Sequence, residues 1–348
     1  MQDIFEEYLR EIEPQKKEKG YAWHTAIGLQ AVDGLEISDY LIDTAKKNIE
    51  GDITFEEANQ LIHSYYKENV KHIGNNRTEE ADKVSVRIAQ ILSENSFVFS
   101  PAQYISIHKR LFDGVYKHAG KIRDYNITKA EWVLDGDTVM YGGALDLRAT
   151  LDYDFSVEKE FSYKGLSIDE TIKHLAVFIS RLWQIHVFGE GNTRTTAVFF
   201  IKYLRTLGFD VTNDIFAENA WYFRNSLVRA NYTNLKKDVH ETTEFLELFL
   251  RNLLLGENNE LKNRYLHIKS VSKCQNDTID GTINVTIDQI VVFRLLKENS
   301  KITQKQIAEK INKSERTVKR IVEELRKNGY IVREGSSRSG YWKILKEI

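Results

Sequence analysis

The stretch His186-Val187-Phe188-Gly189-Glu190-Gly191-Asn192-Thr193-Arg194 decides the fold of this chain and concentrates its chemistry. An amphipathic run from about Ile168 to Trp183 precedes it, and an apolar run from Ala197 to Leu207 follows it. Apolar side chains at three- and four-residue spacing predict a helix on each side. We therefore expect residues 186–194, called the motif loop below, to connect two packed helices.

The residue types of the motif loop suit a phosphate. Gly191 and Asn192 can expose backbone amides at the start of the second helix, where unpaired N–H groups and the helix dipole attract anions. Arg194 offers a planar fork for phosphate oxygens, and Glu190 offers the hard oxygen that Mg²⁺ prefers. His186, with an ordinary pKa of about 6.5, can accept a proton from a hydroxyl at neutral pH. A single histidine after a helix is otherwise a satisfied core or capping residue, but the cluster favours a phosphate site.

The pattern His-x-Phe-x-Glu-Gly-Asn-x-Arg resembles the signature of the Fic (filamentation induced by cyclic AMP) family, and the resemblance spans residues 95–255. Most members transfer AMP from ATP to a hydroxyl of a target protein. By position, the resemblance implies that His186 deprotonates a serine, threonine or tyrosine hydroxyl and that Glu190 holds Mg²⁺ between the α- and β-phosphates. It further implies that Gly191, Asn192, Thr193 and Arg194 cradle the phosphates, while Phe188 anchors the loop in the core.

Two positions depart from the family pattern. Thr193 stands where the family usually has glycine, and Ala197 stands where a second arginine grips the γ-phosphate. Thr193 can still contribute its amide, at some cost in backbone freedom. The missing cation implies weaker ATP binding or another source of positive charge, and it leaves low activity or transfer of a group other than AMP open.

A second segment, Glu131 to Tyr141, supports the resemblance. It places β-formers around Asp135-Gly136, a strong hairpin signal, and it follows Lys121-Ile122-Arg123, a context similar to the family's stretch before its flap. In the family this flap pairs with an extended target segment. The resemblance thus implies target-binding residues, and an ordinary hairpin is the alternative; the flap residues are Val133, Leu134, Thr138, Val139 and Met140.

Two further regions carry weaker expectations. Residues 218–232 predict a helix rich in aromatics and amides, in which Asn225 and Tyr232 are candidate nucleotide contacts, although such a stripe also suits a core helix. The N-terminal segment around Asp33-Gly34 resembles the small antitoxins that inhibit Fic proteins through a glutamate paired with the second arginine of the signature. Since Ala197 cannot pair, we expect Asp33 to lie near the nucleotide site and to inhibit weakly or sterically; a plain capping helix is the alternative.

The C-terminal part has its own charge and pattern. Residues 286–348 carry a net charge of +7 and the rest of the chain −9, which suggests an anionic partner for this part. The pattern predicts helices at Ile287–Lys297 and Gln304–Ile311, a third from the N-cap Ser314 to Lys327, and a hairpin, and so resembles a winged helix-turn-helix. Candidate DNA contacts, with protein docking or dimerisation as the alternative, are Arg316, Lys319, Arg320 and, on the wing, Arg338.

Composition fits a mainly α fold: a Fic-type helical core with a β-hairpin flap and a C-terminal winged-helix domain. The expected domains are an antitoxin-like region at 1–70, a catalytic domain at 71–265, a linker at 266–285 and the winged helix at 286–348. The single Cys274 excludes an intrachain disulfide framework. Without an apolar stretch of membrane-spanning length or a targeting signal, we expect a cytoplasmic protein with no membrane partner; a homodimer stays open.

Three functions remain open from the sequence. The first is a nucleotidyltransferase that uses Mg-ATP to AMPylate a target protein or itself. The second is a DNA-binding regulator whose Fic-like core senses nucleotide and catalyses poorly. The third is a transferase or hydrolase that uses another nucleotide donor. The presence of both His186 and Glu190 favours turnover, because a nucleotide sensor needs no base.

Overall fold

The helix that leads into the motif loop and the helix that follows it form where the apolar periodicity places them. The first spans Ile168–Ile185 and the second Asn192–Thr206. The inward positions of the first helix are all buried, namely Ile172, Leu175, Ala176, Ile179 and Leu182. The second helix begins five residues earlier than the apolar run predicts, because the polar residues from Asn192 to Thr196 are themselves helical and buried.

The structure is a computed structural model. It describes residues 13–68, 77–211, 214–269, 287–311, 313–334 and 340–346, together with Phe5 and Tyr8. In chain order the helices are α1 (Pro14–Gly28), α2 (Asp39–Glu50), α3 (Phe55–Glu68), α4 (Thr78–Ser93), α5 (Pro101–Phe112), α6 (Leu147–Glu160), α7 (Ile168–Ile185), α8 (Asn192–Thr206), α9 (Ile215–Arg229), α10 (Glu244–Leu255), α11 (Asn263–Leu266), α12 (Ile287–Glu298), α13 (Gln304–Lys310) and α14 (Glu315–Lys327). Strands β1 (Ile331–Glu334) and β2 (Tyr341–Ile344) form an antiparallel pair. Short 3₁₀ helices lie at Leu29–Asp33, Trp132–Leu134 and Leu235–Lys237.

The chain divides into two units, each with its own core. The first comprises residues 1–161, 176–203 and 211–275, and the second comprises 162–175, 204–210 and 276–348. The domain boundaries expected from the sequence remain a prediction. None of the helices in the described part of the chain is both long enough and apolar enough to cross a bilayer. Cys274, in the expected linker, lies outside the described residues.

Helix α5 forms the floor of the motif loop. Ser100 caps its N-terminus by accepting a hydrogen bond from the amide of Gln103, and Pro101 occupies its first turn. Tyr104, His108 and Phe112 follow one another at four-residue spacing and are all buried. This face of α5 therefore presents three rings to the loop above it.

The N-terminal helices pack on the same unit. Helix α1 contacts α4 and α9, and a Cβ on Gly28 would lie only 2.4 Å from the backbone of Ala217 in α9. Glycine is thus required at position 28, where two helices approach closely. The turn after α1 ends at Gly34, whose φ of 65° is left-handed. This packing brings Asp33 toward the start of α8.

The segment from Glu131 to Tyr141 differs from the expected hairpin. Asp135 and Gly136 both have positive φ (58° and 83°), as the Asp-Gly turn requires. The residues before them form the 3₁₀ helix instead of a strand, and within the described residues the only strands are β1 and β2. The physical reason is that Val133 and Leu134 are both fully buried, whereas consecutive residues of a strand point to opposite faces.

The second unit contains the winged helix-turn-helix that the sequence predicts. Ser314 caps α14 by accepting a hydrogen bond from the amide of Thr317, and Thr303 forms a capping box with Gln306 at the start of α13. Val318, Ile321 and Leu325 of α14 are buried, as expected. The core of this unit combines residues of α12, α13, α14 and both strands. The wing turn between β1 and β2, including Arg338, lies outside the described residues.

Candidate active site

The motif loop turns the chain sharply between α7 and α8. His186 follows the last residue of α7 and has a φ of 53°, an unusual conformation for a residue with a side chain. Its amide donates to the carbonyl of Trp183 at 3.1 Å. Gly191, directly before α8, has a φ of 74°, and a Cβ there would come within 2.4 Å of the Phe112 ring. Glycine is therefore needed at position 191, and the backbone before α8 lies tightly against α5.

The two ring nitrogens of the buried His186 side chain differ in their contacts. Its Nδ1 lies 3.3 Å from the carbonyl oxygen of Trp183, so Nδ1 carries the proton and donates it. Nε2 then carries the lone pair, and it has no hydrogen-bond partner among the described residues. Burial lowers the pKa of His186 well below its ordinary value, and the positive charge of Lys129 lowers it further. The imidazole is thus neutral at physiological pH.

A chain of contacts from outside the motif loop holds the imidazole in place. The Tyr141 ring lies 4.4 Å from the His186 ring, and the Tyr141 hydroxyl donates to Glu131 at 3.0 Å. Glu131 is buried and accepts two hydrogen bonds from Arg224, at 2.7 and 3.1 Å. This two-point pairing fixes both the carboxylate and the tyrosine. The segment before and after the Asp-Gly turn therefore holds the His186 ring.

The motif loop is closed by its own side chains. Asn192 accepts a hydrogen bond from the amide of Phe188 at 3.0 Å and donates to the Phe188 carbonyl at 2.7 Å. Thr193 accepts a hydrogen bond from the indole of Trp183 at 3.0 Å. Thr193 has no positive φ, so this position does not demand glycine. The side chains of Asn192 and Thr193 hold the loop, and their amides remain the groups that can face a phosphate.

Phe188 anchors the loop, as expected. It is fully buried, stacks on His108 with ring centres 3.7 Å apart, and also faces Tyr104. Burial lowers the pKa of His108 to about 4, so its ring is neutral. His108 accepts a hydrogen bond from the amide of Gly120 at 2.8 Å and donates through Nε2 to the carbonyl of Glu190 at 3.0 Å. The backbone at Glu190 is therefore fixed, while its side chain is free to turn outward.

Glu190 presents a single carboxylate at the mouth of the site. Its side chain is 51% exposed, and Lys129 lies 3.4 Å from one of its oxygens. The described residues contain no group of three or more histidine, cysteine or acidic side chains that could hold a metal ion. Magnesium in nucleotide sites commonly takes one or two protein carboxylates and completes its shell with phosphate oxygens and water. Glu190 fits that pattern.

Arg194 is buried, and its guanidinium is bound by protein side chains. It is 0% exposed, and one Nη2 atom lies 2.8 Å from Asp33 and 2.5 Å from Glu80. Gln30 accepts a hydrogen bond from Nη1 at 2.9 Å, and the Tyr116 hydroxyl lies 3.2 Å from Nη2. We call these four partners and Arg194 the Arg194 cluster. The structure places Asp33 near the motif loop and pairs it with Arg194; Ala197 is buried and apolar.

The electrostatics of the Arg194 cluster favour its charged form. Burial opposes the charge of the guanidinium, yet Asp33, Tyr116 and Glu80 together hold the pKa of Arg194 above its ordinary value. Burial would raise the pKa of Glu80, but hydrogen bonds from Arg77 and the charge of Arg194 outweigh it and hold this pKa below its usual range. Arg77 donates two hydrogen bonds to Glu80, both of 2.7 Å. Both members of the Glu80–Arg194 pair therefore stay ionised at neutral pH.

The other residues expected at the site are spread more widely. Asn225 is buried and donates to Asn263 at 2.7 Å, and Tyr232 donates to Asp137 at 2.6 Å. The Tyr232 contact ties the chain just after α9 to the residue that follows Asp135-Gly136. Neither contact tests a role in nucleotide binding, which stays a prediction.

The flap residues divide by burial. Val133, Leu134 and Val139 are buried in the core, Thr138 is half-buried, and Met140 is 85% exposed. Met140 is therefore the flap side chain that a target could contact. The backbone of the segment stays a candidate for strand pairing.

Several residues of this site went unpredicted from the sequence. Lys129, Glu131 and Tyr141 lie before and around the hairpin signal without any pattern of their own. Glu80 did leave a signal, because it stands four residues before Val84 and eight before Ile88 on the buried face of α4. A carboxylate on an apolar stripe requires a buried ion-pair or hydrogen-bond partner, although nothing in the sequence says which one.

The second unit offers a separate candidate interface. Arg316, Lys319 and Arg320 are exposed on α14, and Arg320 lies 3.8 Å from Glu324. These cations stand on the polar face opposite the buried Val318 and Ile321. That is the face a recognition helix presents to DNA.

Two regions of the chain match family models of known proteins. Residues 98–204 match a family model described as Fic/DOC family, and residues 290–332 match one described as winged helix-turn-helix DNA-binding. Among solved structures, the chain is similar to a Fic family protein from Desulfovibrio desulfuricans G20. That similarity has 11% sequence identity, covers 98% of this chain and 93% of the other, and has a TM-score of 0.47. No curated protein matches the chain.

Proposed function

Since residues 98–204 form a Fic/DOC family domain, we propose that this protein is a nucleotidyltransferase that moves AMP from Mg-ATP to a hydroxyl of a target protein or of itself. The observation that carries the proposal is the state of His186. Its proton is committed to the Trp183 carbonyl through Nδ1, and its Nε2 lone pair is unpartnered. A neutral imidazole with one free nitrogen is what proton abstraction from a hydroxyl needs.

The reaction can be written with the residues of the site. His186 Nε2 takes the proton of the target hydroxyl while the hydroxyl oxygen bonds to the α-phosphorus of ATP. The bond from that phosphorus to the oxygen bridging to the β-phosphate breaks, and its electron pair leaves with pyrophosphate. Mg²⁺ bound through Glu190 and phosphate oxygens would neutralise charge on the leaving group. The amides at the start of α8 would receive the remaining phosphate charge.

We further propose that Asp33 restrains the enzyme. A buried arginine that is paired with Asp33 and Glu80 has few donors left for a phosphate. Asp33 is the more exposed of the two carboxylates, and it lies at the end of the 3₁₀ helix that follows α1. Release of this segment would return part of the guanidinium to the site. Restraint in this form acts on Arg194, so it does not depend on an arginine at position 197.

The experiment uses ATP labelled at the α-phosphate, with and without Mg²⁺, and measures label bound to protein. We expect label with the parent protein, and a loss of about 10²-fold or more with His186→Ala, the range for removal of a general base. Glu190→Ala should lower protein-bound label by a similar factor when Mg²⁺ is limiting. His174→Ala is the matched control, because His174 lies in α7, the helix that precedes His186, and is half-buried. Label transferred from the γ-phosphate and not from the α-phosphate would overturn the proposal in favour of another transfer.

A second function rests on the winged helix alone. The chain carries a winged helix-turn-helix domain, and we propose that the exposed cations of α14 contact the DNA backbone or bases. Binding to a DNA duplex should weaken steeply with salt, because each phosphate contact releases counterions. Replacing Arg316 and Lys319 together by alanine should reduce the slope of log affinity against log salt by about two. An unchanged slope would contradict DNA contact through this helix.

A further inference from the structure

The cationic side chains near residues 186–190 include Arg123, Lys129, Arg194 and Arg224. The three arginines make buried hydrogen bonds within the protein. Arg194 is buried against Asp33 and Glu80. Arg224 makes its two-point contact with Glu131. Arg123 donates from its guanidinium to the backbone carbonyls of His186, Tyr125 and Gly142. None of these guanidiniums can turn toward a ligand without breaking buried hydrogen bonds.

Lys129 is the exception among the four. Its side chain is 30% exposed, and its ammonium lies 3.4 Å from a carboxylate oxygen of Glu190. Its backbone is held in place because its amide donates to the Thr138 hydroxyl at 3.3 Å. Its positive charge also lowers the pKa of His186, where burial is the larger cause. The ammonium thus contacts the acidic side chain of the site, acts electrostatically on His186, and can move on a flexible four-carbon stem.

We propose that Lys129 supplies the cation that binds the polyphosphate of the nucleotide. This rests on the proposed transferase function and adds a residue to it. In the described state Lys129 neutralises Glu190; when Mg²⁺ and phosphates enter, the ammonium exchanges Glu190 for a phosphate oxygen, and Glu190 is left free for the metal. The exchange keeps every charge at the mouth of the site paired. It provides the positive charge that Ala197 cannot provide.

The first test compares nucleotides of different charge on the full chain. Equilibrium binding of ATP and AMP is measured, in Mg²⁺, to the parent, Lys129→Met, Lys129→Arg and the control Lys121→Met, an exposed lysine of the preceding segment. We expect Lys129→Met to weaken ATP binding about tenfold or more, the range for a hydrogen bond between charged groups. AMP binding should change by less than about threefold, Lys129→Arg should retain most ATP affinity, and Lys121→Met should match the parent.

The possible outcomes separate the two proposals. Equal ATP affinity of parent and Lys129→Met, in a parent that transfers label from ATP, would overturn the role of Lys129 and leave the transferase intact. If Lys129→Met weakens ATP binding and AMP binding equally, the role of Lys129 is also overturned, because an equal loss indicates a general structural effect. A parent that neither binds ATP nor transfers label would overturn both.

The second test addresses the exchange itself. In chelator, without Mg²⁺, Glu190→Gln releases Lys129 and should tighten ATP binding severalfold. The gain should be smaller in the Lys129→Met background, because no ammonium is then released. Gains of equal size in the two backgrounds would show that Lys129 and Glu190 act independently, and would overturn the exchange.

Discussion

The Arg194 cluster predicts a large difference between two adjacent glutamates. Glu80 is buried and accepts hydrogen bonds from Arg77, Arg194 and Tyr116. Glu79, its neighbour, is exposed and pairs with Lys83 one helical turn away. We therefore compare Glu80→Gln with Glu79→Gln, which remove the same charge from the same turn of α4.

The magnitude follows from what each change leaves behind. Removing one partner of a buried ion pair costs about 3–5 kcal/mol of unfolding free energy. Since Asp33 still faces Arg194 in Glu80→Gln, we expect the lower end, about 3 kcal/mol. Glu79→Gln loses an exposed pair and should cost less than about 0.5 kcal/mol.

The assay is urea denaturation at pH 7, followed by circular dichroism, on both variants and the parent. The pH dependence gives a second readout. The pKa of Glu80 is lowered in the folded state, so its contribution is complete above the unfolded pKa of about 4.3 and is lost as pH falls through the folded value. The difference in unfolding free energy between the parent and Glu80→Gln should therefore become smaller below about pH 4.3. If the two variants lose unfolding free energies that differ by less than about 0.5 kcal/mol, Glu80 does not act as the partner of a buried ion pair.

Three further predictions follow from the site. Asp33→Ala should raise protein-bound label from α-labelled ATP severalfold, whereas the exposed Asp39→Ala should not; a rate equal to the parent would limit Asp33 to a structural role. Phe188→Ala should lower the unfolding free energy by about 3–5 kcal/mol, and the exposed Tyr153→Ala by little; a loss below about 1 kcal/mol for Phe188→Ala would argue against its role as anchor. Since the pKa of His186 is lowered, its neutral form persists below its unfolded pKa, and kcat/KM should hold steady as pH falls from 7.5 toward 6; a half-maximal point near the ordinary value of about 6.5 would contradict the burial of the base.

Local pattern accounts for the parts of the fold that the sequence predicts well. Helix α7 and the helices α13 and α14 of the winged unit combine buried apolar side chains with a capping residue at the N-terminus. Each of these signals is contained in one segment of chain. The motif loop between α7 and α8, with its candidate base His186, could be predicted for the same reason.

Long-range pairing accounts for what the sequence could not give. Asn192, Thr193, Arg194 and Thr196 resemble a polar loop, yet each side chain finds a buried partner and all four lie in α8. Three of the four residues that contact Arg194 lie more than a hundred residues from it in the chain, namely Gln30, Asp33 and Glu80. Single-sequence reasoning can flag Glu80 as a misplaced charge, but only the fold brings Arg194 to it.

The same argument explains the Asp33 result. Analogy with the family's second arginine led to the expectation of a weak or steric effect, because position 197 is alanine. The structure instead gives Asp33 the first arginine as its partner, at 2.8 Å. Alanine at position 197 did not exclude an ion pair with Asp33, because Arg194 lies about one turn earlier on α8.

The central claim is that His186 activates a hydroxyl for attack on the α-phosphate. The most direct measurement is the intact mass of the protein and of its modified peptides after incubation with Mg-ATP. We predict an AMP adduct on a serine, threonine or tyrosine, present in the parent and in His174→Ala and absent in His186→Ala. A phosphate adduct, or an AMP adduct that persists in His186→Ala, would contradict the account.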